Sequence, residues 1–234
     1  MTTLGIIGAM QVEVETLVAK LENRKETTLA GSAYYEGQLE GISVVVVQCG
    51  VGKVNAAMCA QTLCIHYGVS HLVNTGIAGS LNASLDIGDL VISRDAMYHD
   101  FDCVHFGYEM GRVPGMDTAA FPADSALIAM ASAAAERVNP GHCTIGRVAT
   151  GDLFVAEKEA KNAIIAKTGA LCTEMEGAAI AHACYRNGVP FVILRAISDK
   201  ADDSAEMDYP TFERIAAHRC AQITQTMAKN LANA

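Results

Sequence analysis

Near the end of the chain, Phe191-Val192-Ile193-Leu194-Arg195-Ala196-Ile197-Ser198-Asp199 joins an apolar run to a cation, a hydroxyl and a carboxylate. Val192 to Leu194 reads as a strand buried on both faces of an α/β sheet. Ligands of open α/β sheets bind outside the carboxyl ends of the strands. Arg195, Ser198 and Asp199 therefore face a cleft, or else they make a solvated strand end with a local Arg–Asp pair; the segment alone leaves the two readings level. Glu13 follows Gly5-Ile6-Ile7-Gly8-Ala9-Met10 in the first turn of a helix, where an acid compensates the helix dipole with no further role required. Glu174-Met175-Glu176 sits between an apolar strand and the small residues Gly177-Ala178-Ala179, a harder pair to dismiss as surface. Buried carboxylates must find donors, and the hydroxyls of a sugar would serve. Acids held in opposite protonation states would divide acid and base work between them.

Two glycine-rich segments, Gly50-Val51-Gly52-Lys53 and Gly76-Ile77-Ala78-Gly79-Ser80, read as strand-to-helix turns. Such turns let backbone approach a ligand and can hold phosphate. The first is no Walker motif and the second has no basic residue, so ordinary tight turns are the first reading of each. Gly5 to Met10 lacks the GxGxxG pattern, which argues against a nicotinamide dinucleotide.

The elements that position these residues alternate. Leu4–Ile7 reads as a strand and Val12–Glu22 as a helix. Ala33–Leu39 and Ile42–Gln48 form a hairpin across Glu40-Gly41. A helix runs to His66, His71–Asn74 is a short strand, and Gly88-Asp89 opens another. Regular periodicity is lost from Tyr98 to Phe121, and a long irregular segment is usually functional or at an interface. Ser125–Val138, Glu157–Lys167 and Glu176–Arg186 read as helices, and His142–Thr150 and Leu171–Thr173 as strands. The organising strand leads into a loop with Asp199, Asp202, Asp203 and Asp208, then an amphipathic helix over Tyr209–Leu231. The pattern is an α/β domain on a mixed sheet, with residues 1–234 as a single domain.

Of 234 residues, 51% are apolar, which supplies a large core and some surplus for a subunit interface. A net charge of −9 with scattered Lys and Arg argues against nucleic acid or an anionic membrane as partner. No apolar stretch is long enough to span a bilayer, and no basic leader precedes the first strand. The eight cysteines show no CxxC spacing and read as reduced core residues of a cytoplasmic protein. Seven dispersed histidines give no metal motif.

Taken together, Gly5–Met10 with Glu13, Gly50-Val51-Gly52-Lys53-Val54, Asn74-Thr75-Gly76-x-Ala78-Gly79, Gly88-Asp89, Tyr98-His99-Asp100, Phe106-Gly107-Tyr108, Gly151-Asp152, Glu174-Met175-Glu176 and Arg195–Asp199 resemble the 5′-methylthioadenosine/S-adenosylhomocysteine nucleosidases of the purine and uridine phosphorylase superfamily. The resemblance implies a nucleoside phosphorylase-like, three-layer α/β/α fold whose central mixed sheet is partly barrel-like. It implies hydrolysis of an adenine N-glycosidic bond, giving adenine and a 5-thioribose, with no cofactor and no metal. Asp199 would be the acid at adenine N7 with Ser198 supporting it, and Glu13 the base that orients water. Glu176 would take the ribose hydroxyls, with Met175 and Arg195 beside it. The Val155 backbone would read the adenine edge and Phe154 would stack on the ring. Met10, Val51 and Tyr209 would line the ribose and alkylthio end, and Phe106, Tyr108 and Pro114 would come from the other subunit of a homodimer. Ile77 stands where the family often has Ser, and Cys103 and Tyr209 where an aliphatic residue and Phe are usual. The competing readings are an aminodeoxyfutalosine nucleosidase, a purine nucleoside phosphorylase of the same fold, and a non-catalytic nucleoside-binding protein.

Overall fold

The computed structural model describes residues 2–202 and 205–232. In chain order the elements are β1 (Thr3–Gly8), α1 (Gln11–Ala19), β2 (Glu22–Leu29), β3 (Ser32–Leu39), β4 (Ile42–Gln48), α2 (Lys53–Ile65), β5 (His71–Ser80) and β6 (Leu90–Tyr98). They continue as β7 (Ala120–Pro122), α3 (Ser125–Val138), β8 (Cys143–Thr150), α4 (Lys158–Thr168), β9 (Cys172–Glu174), α5 (Gly177–Asn187), β10 (Phe191–Asp199) and α6 (Ala205–Ala232).

The strands make one mixed sheet in the order β10-β6-β8-β9-β5-β1-β4-β3-β2, and β10 pairs a second time with β5. That extra pairing closes β5, β10, β6, β8 and β9 into a barrel, while β1, β4, β3 and β2 extend from it as an open wing. All of β10 is buried, as expected of a strand with neighbours on both edges and helices over its faces. On one face of the sheet α2 and α5 pack with small residues, Ala56, Ala60, Ala178 and Ala181 among them. On the other face α1, α3 and α6 contribute Leu17, Ala131, Ala134, Ile223 and Met227. Small side chains at these contacts let helix axes approach the sheet closely. A smaller cluster of Leu81, Ala149, Val155, Ile164, Ala170 and Ala201 lies beneath α4.

The structure corrects three expectations. The helix expected over Val12–Glu22 ends at Ala19, and Glu22 opens β2, a strand that no apolar pattern foretells. Most of β2 is exposed, and its sequence Glu-Asn-Arg-Lys-Glu-Thr-Thr-Leu has no apolar alternation. An edge strand solvated on both faces is held by its ladder to β3, so it leaves no periodic signal. The stretch from Thr75 to Ser80, expected as a turn, is the second half of β5, continuous with His71–Asn74 and paired with β10 and β9. Its glycines serve close packing: a Cβ on Gly76 would collide with Arg195 Nη1 and lie 2.5 Å from Glu13 Oε1. Finally, α6 begins at Ala205, ahead of the expected Tyr209, so Asp208 belongs to the helix backbone and not to a loop. Asp203 lies outside the described residues.

Candidate active site

A cavity of about 380 Å³ opens at the carboxyl ends of β1, β4, β5, β8, β9 and β10, the position that α/β topology favours for ligands. Ala9, Met10 and Glu13 line it from the β1 side, Ile77, Ala78 and Gly79 from β5, and Ser198 and Asp199 from β10. Leu153, Phe154 and Val155 after β8, and Thr173 to Glu176 at β9, complete the wall with Val51 and Tyr209.

The chain turns sharply between β1 and α1, and this turn seats Glu13 in the first turn of the helix. Its Oε2 accepts the Ala9 and Met10 N–H groups at 2.6 and 3.0 Å, and Oε1 accepts the Ile77 N–H at 3.1 Å. Two of these donors belong to the α1 entry, so the dipole reading of Glu13 holds as well. The third comes from β5 and turns the carboxylate toward the cavity. Burial pushes the Glu13 pKa up, while Arg195 and the three N–H groups oppose the rise.

At the other end of the β5 segment, Asp199 is 3% exposed. Its Oδ2 accepts the Ser198 hydroxyl at 2.8 Å and its Oδ1 the Ala201 N–H at 2.8 Å. A Cβ on Gly79 would come within 2.8 Å of Asp199 Oδ1, as one on Gly76 would meet Glu13. The two acids thus abut β5 three residues apart, roughly 10 Å at about 3.3 Å per residue. That span suits a purine ring joined to a pentose.

The acids of Glu174-Met175-Glu176 have different fates. Glu174 Oε2 accepts the Glu176 and Gly177 N–H groups at 3.0 and 2.7 Å, satisfying donors at the start of α5. It also pairs with Arg195 Nη2 and, through Oε1, with the Thr150 hydroxyl. The scaffold therefore occupies Glu174. Glu176 keeps a face to the cavity, with Oε1 accepting the Gly52 N–H at 2.8 Å and Oε2 lying 3.8 Å from Arg195 Nη2. Burial, then the neighbouring Glu174, pushes the Glu176 pKa up to about 7.

Arg195 is 1% exposed and does not line the cavity. Its Nη2 donates to Asn74 Oδ1 at 2.7 Å as well as to Glu174. Burial disfavours its charge, but Glu174, Glu13 and Glu176 more than offset this and raise its pKa. A buried cation beneath three acids moderates their mutual repulsion, the condition for keeping two of them ionised close together.

Of the residues singled out by sequence, Met10, Glu13, Val51, Ile77, Phe154, Val155, Met175, Glu176, Ser198, Asp199 and Tyr209 line the cavity. Tyr209 also donates its hydroxyl to Met10 Sδ at 3.1 Å and packs edge-on to Phe154, with centroids 5.7 Å apart. Phe106, Tyr108 and Pro114 are not among the lining residues of this chain. Phe106 is 78% exposed, Pro114 is exposed and Tyr108 half-buried. Asn74, inside β5, and Thr150, at the end of β8, hold Arg195 and Glu174 in place without lining the cavity, and a polar residue within an apolar strand is the sequence signal for each. Among the described residues no group of His, Cys, Asp or Glu is arranged to hold a metal ion.

Residues 3–229 match the model of the phosphorylase superfamily. The chain is 41% identical to a 5′-methylthioadenosine/S-adenosylhomocysteine nucleosidase of Chromohalobacter salexigens, across 100% of both chains. It superposes with a TM-score of 0.95 on the nucleosidase of that description from Colwellia psychrerythraea in complex with adenine, at 39% identity, covering 98% of this chain and 96% of that one. The corresponding enzyme of Neisseria meningitidis in complex with methylthio-immucillin-A also gives a TM-score of 0.95, at 36% identity over 98% of this chain and 100% of that one.

Proposed function

From a chain that belongs to the phosphorylase superfamily, and within it to the 5′-methylthioadenosine/S-adenosylhomocysteine nucleosidases, we propose a mechanism in which Asp199 protonates the departing adenine and Glu13 activates water. The enzyme is a hydrolase of the N-glycosidic bond of methylthioadenosine and S-adenosylhomocysteine, releasing adenine and a 5-thioribose. The observation that carries the assignment of roles is the pair of buried acids abutting β5 at Gly76 and Gly79.

Adenine leaves poorly as an anion, so a proton must reach N7 as the bond to C1′ breaks. A free Asp, with a pKa of about 3.9, carries no proton at neutral pH. A purine whose N7 edge meets Asp199 excludes water from it, and desolvation favours the neutral acid. Ser198 fixes Oδ2 and Ala201 fixes Oδ1, which aims the carboxyl. The sugar becomes an oxocarbenium-like cation, stabilised by the Glu176 carboxylate beside it. Glu13, held by its N–H donors, then takes a proton from water as the water attacks C1′. Phe154 and the Val155 backbone bind the base, and Met10, Val51, Ile77, Met175 and Tyr209 enclose the ribose and alkylthio end.

We assign a second copy of this chain as the partner. Val54, Met58 and Ile65 share one face of α2 and are 70, 48 and 68% exposed, an apolar strip suited to an interface. Phe106, Tyr108 and Pro114 would reach the neighbouring cavity across it. A cytoplasmic location agrees with eight free cysteines, since thiols persist in reducing compartments.

Incubation with methylthioadenosine in phosphate buffer tests the reaction: adenine and free methylthioribose are expected, from an enzyme that sediments as a dimer. Methylthioribose 1-phosphate as the product would overturn hydrolysis, and sedimentation as a monomer would overturn the shared site.

The Glu176 pKa sets a pH dependence. Raised to about 7, this group favours the folded protein most below its ordinary range, and that contribution is lost as pH rises through about 7. Ribose hydroxyls donate to the ionised form, so substrate binding opposes the loss. KM is therefore expected to fall as pH rises from about 6 to about 8. In Glu176→Gln, KM should rise, kcat should fall and the pH trend should vanish, together with discrimination against a 2′-deoxy substrate. A wild-type KM that is flat over this range would remove Glu176 from the ribose role.

A further inference from the structure

We propose that Lys53, Asp100 and Asp152 form a positioning clamp that keeps the ribose wall and the purine wall of the cavity in register. The inference rests on the nucleosidase reading above and gives the three residues no chemical step.

The clamp begins at Gly52, the N-cap of α2, whose φ of +98° turns its N–H onto Glu176 Oε1 at 2.8 Å. Glycine has no side chain with which to cap the helix. Asp152, from the opposite wall, supplies the missing acceptor: the Lys53 N–H donates to Asp152 Oδ1 at 2.9 Å. A Cβ on Gly52 would stand 3.2 Å from that same oxygen, so the position needs glycine for its φ and for this approach. The Lys53 ammonium then reaches Asp100 Oδ2 at 2.5 Å and Asp152 Oδ2 at 3.6 Å, and it lies 5.6 Å from the Tyr98 ring centroid. The Asp152 N–H closes the circuit on Asp100 Oδ2 at 3.0 Å.

What this circuit holds has few other hydrogen bonds. Among the described residues, the only hydrogen bonds from 152–155 to another part of the chain are those of Asp152; the Leu153 N–H bonds locally to Gly151. Val155 is anchored in the core cluster beneath α4, but Leu153 and Phe154 are 50 and 48% exposed, with Phe154 edge-on to Tyr209. Yet these residues and Val155 make the purine wall, while Val51 and Gly52 belong to the ribose wall. Asp100 lies two residues beyond β6, at the start of the segment that carries Phe106, Tyr108 and Pro114, so one carboxylate ties both walls to it. With side chains of Lys53 and Asp100 at 22 and 29% exposure, the pair is open enough for salt to screen it.

In the full-length enzyme, Lys53→Met is expected to raise KM for methylthioadenosine about tenfold and to change kcat less than about threefold, the signature of lost uniform binding. Lys53→Arg should recover most of the loss. Raising salt from about 0.1 to about 1 M should raise KM of the wild type and leave Lys53→Met unmoved. A KM within about twofold of wild type with the same salt trend would overturn the clamp. If Lys53→Met fails to fold, Asp100→Asn, which retains an acceptor for the Asp152 N–H, is measured in the same way, and the same outcomes support or overturn the clamp. A wild type that releases no adenine would instead remove the nucleosidase reading, and calorimetric binding of adenine to the same variants would then decide the clamp.

Discussion

Replacing Asp199 with Asn is expected to reduce adenine release by at least about a thousandfold, within the range general acid catalysis supplies, while adenine still binds. An amide can keep the geometry: its carbonyl accepts the Ala201 N–H, and its NH2 can donate to the Ser198 oxygen or to a purine nitrogen. It has no proton to transfer. The loss should therefore appear in kcat, with calorimetric binding of adenine retained. A leaving group that departs without a proton separates this role from a structural one. On a thioribosyl p-nitrophenyl ether, Asp199→Asn should lose far less than on methylthioadenosine. Equal losses on both substrates, or a rate near wild type on methylthioadenosine, would take the acid role away from Asp199.

Glu13→Gln should cost at least about a hundredfold in rate, the low end for loss of a general base. It should also cost stability, for a reason specific to this site. Both oxygens of Glu13 accept N–H groups, Oε2 from Ala9 and Met10 and Oε1 from Ile77. Glutamine has one carbonyl, so its NH2 must face at least one N–H and leave a buried donor without an acceptor. That penalty is about 1–3 kcal/mol. Thermal unfolding and kcat should thus fall together, in contrast to Asp199→Asn, which keeps its bonds to Ser198 and Ala201. A Glu13→Gln enzyme within tenfold of the wild-type rate would leave water activation to another group.

Much of the site is legible as residue types at strand ends. Ser198 and Asp199 after Val192–Leu194, Glu13 after a strand and glycine, and Glu176 before a small-residue helix all reach the cavity. Arg195 reads as a site residue from its position, yet it lies beneath the cavity as the counter-ion of Glu174. Spacing within the Glu-Met-Glu motif cannot tell which acid faces a ligand and which is consumed by Arg195, Thr150 and the start of α5. The difference depends on β10 and β8 bringing their side chains alongside β9.

The chain's own sequence determined the buried strands, the helices with a regular apolar face and the chemical groups on offer, because periodicity and residue type are local properties. Tertiary structure alone decided three things. It made Thr75–Ser80 a strand, because glycines there admit the Arg195 and Glu13 side chains against the backbone. It drew a polar stretch into β2, because pairing with β3 supplied hydrogen bonds that no apolar pattern announces. And it divided the acids into scaffold and site, because burial, a shared cation and fixed N–H donors depend on neighbours remote in the chain.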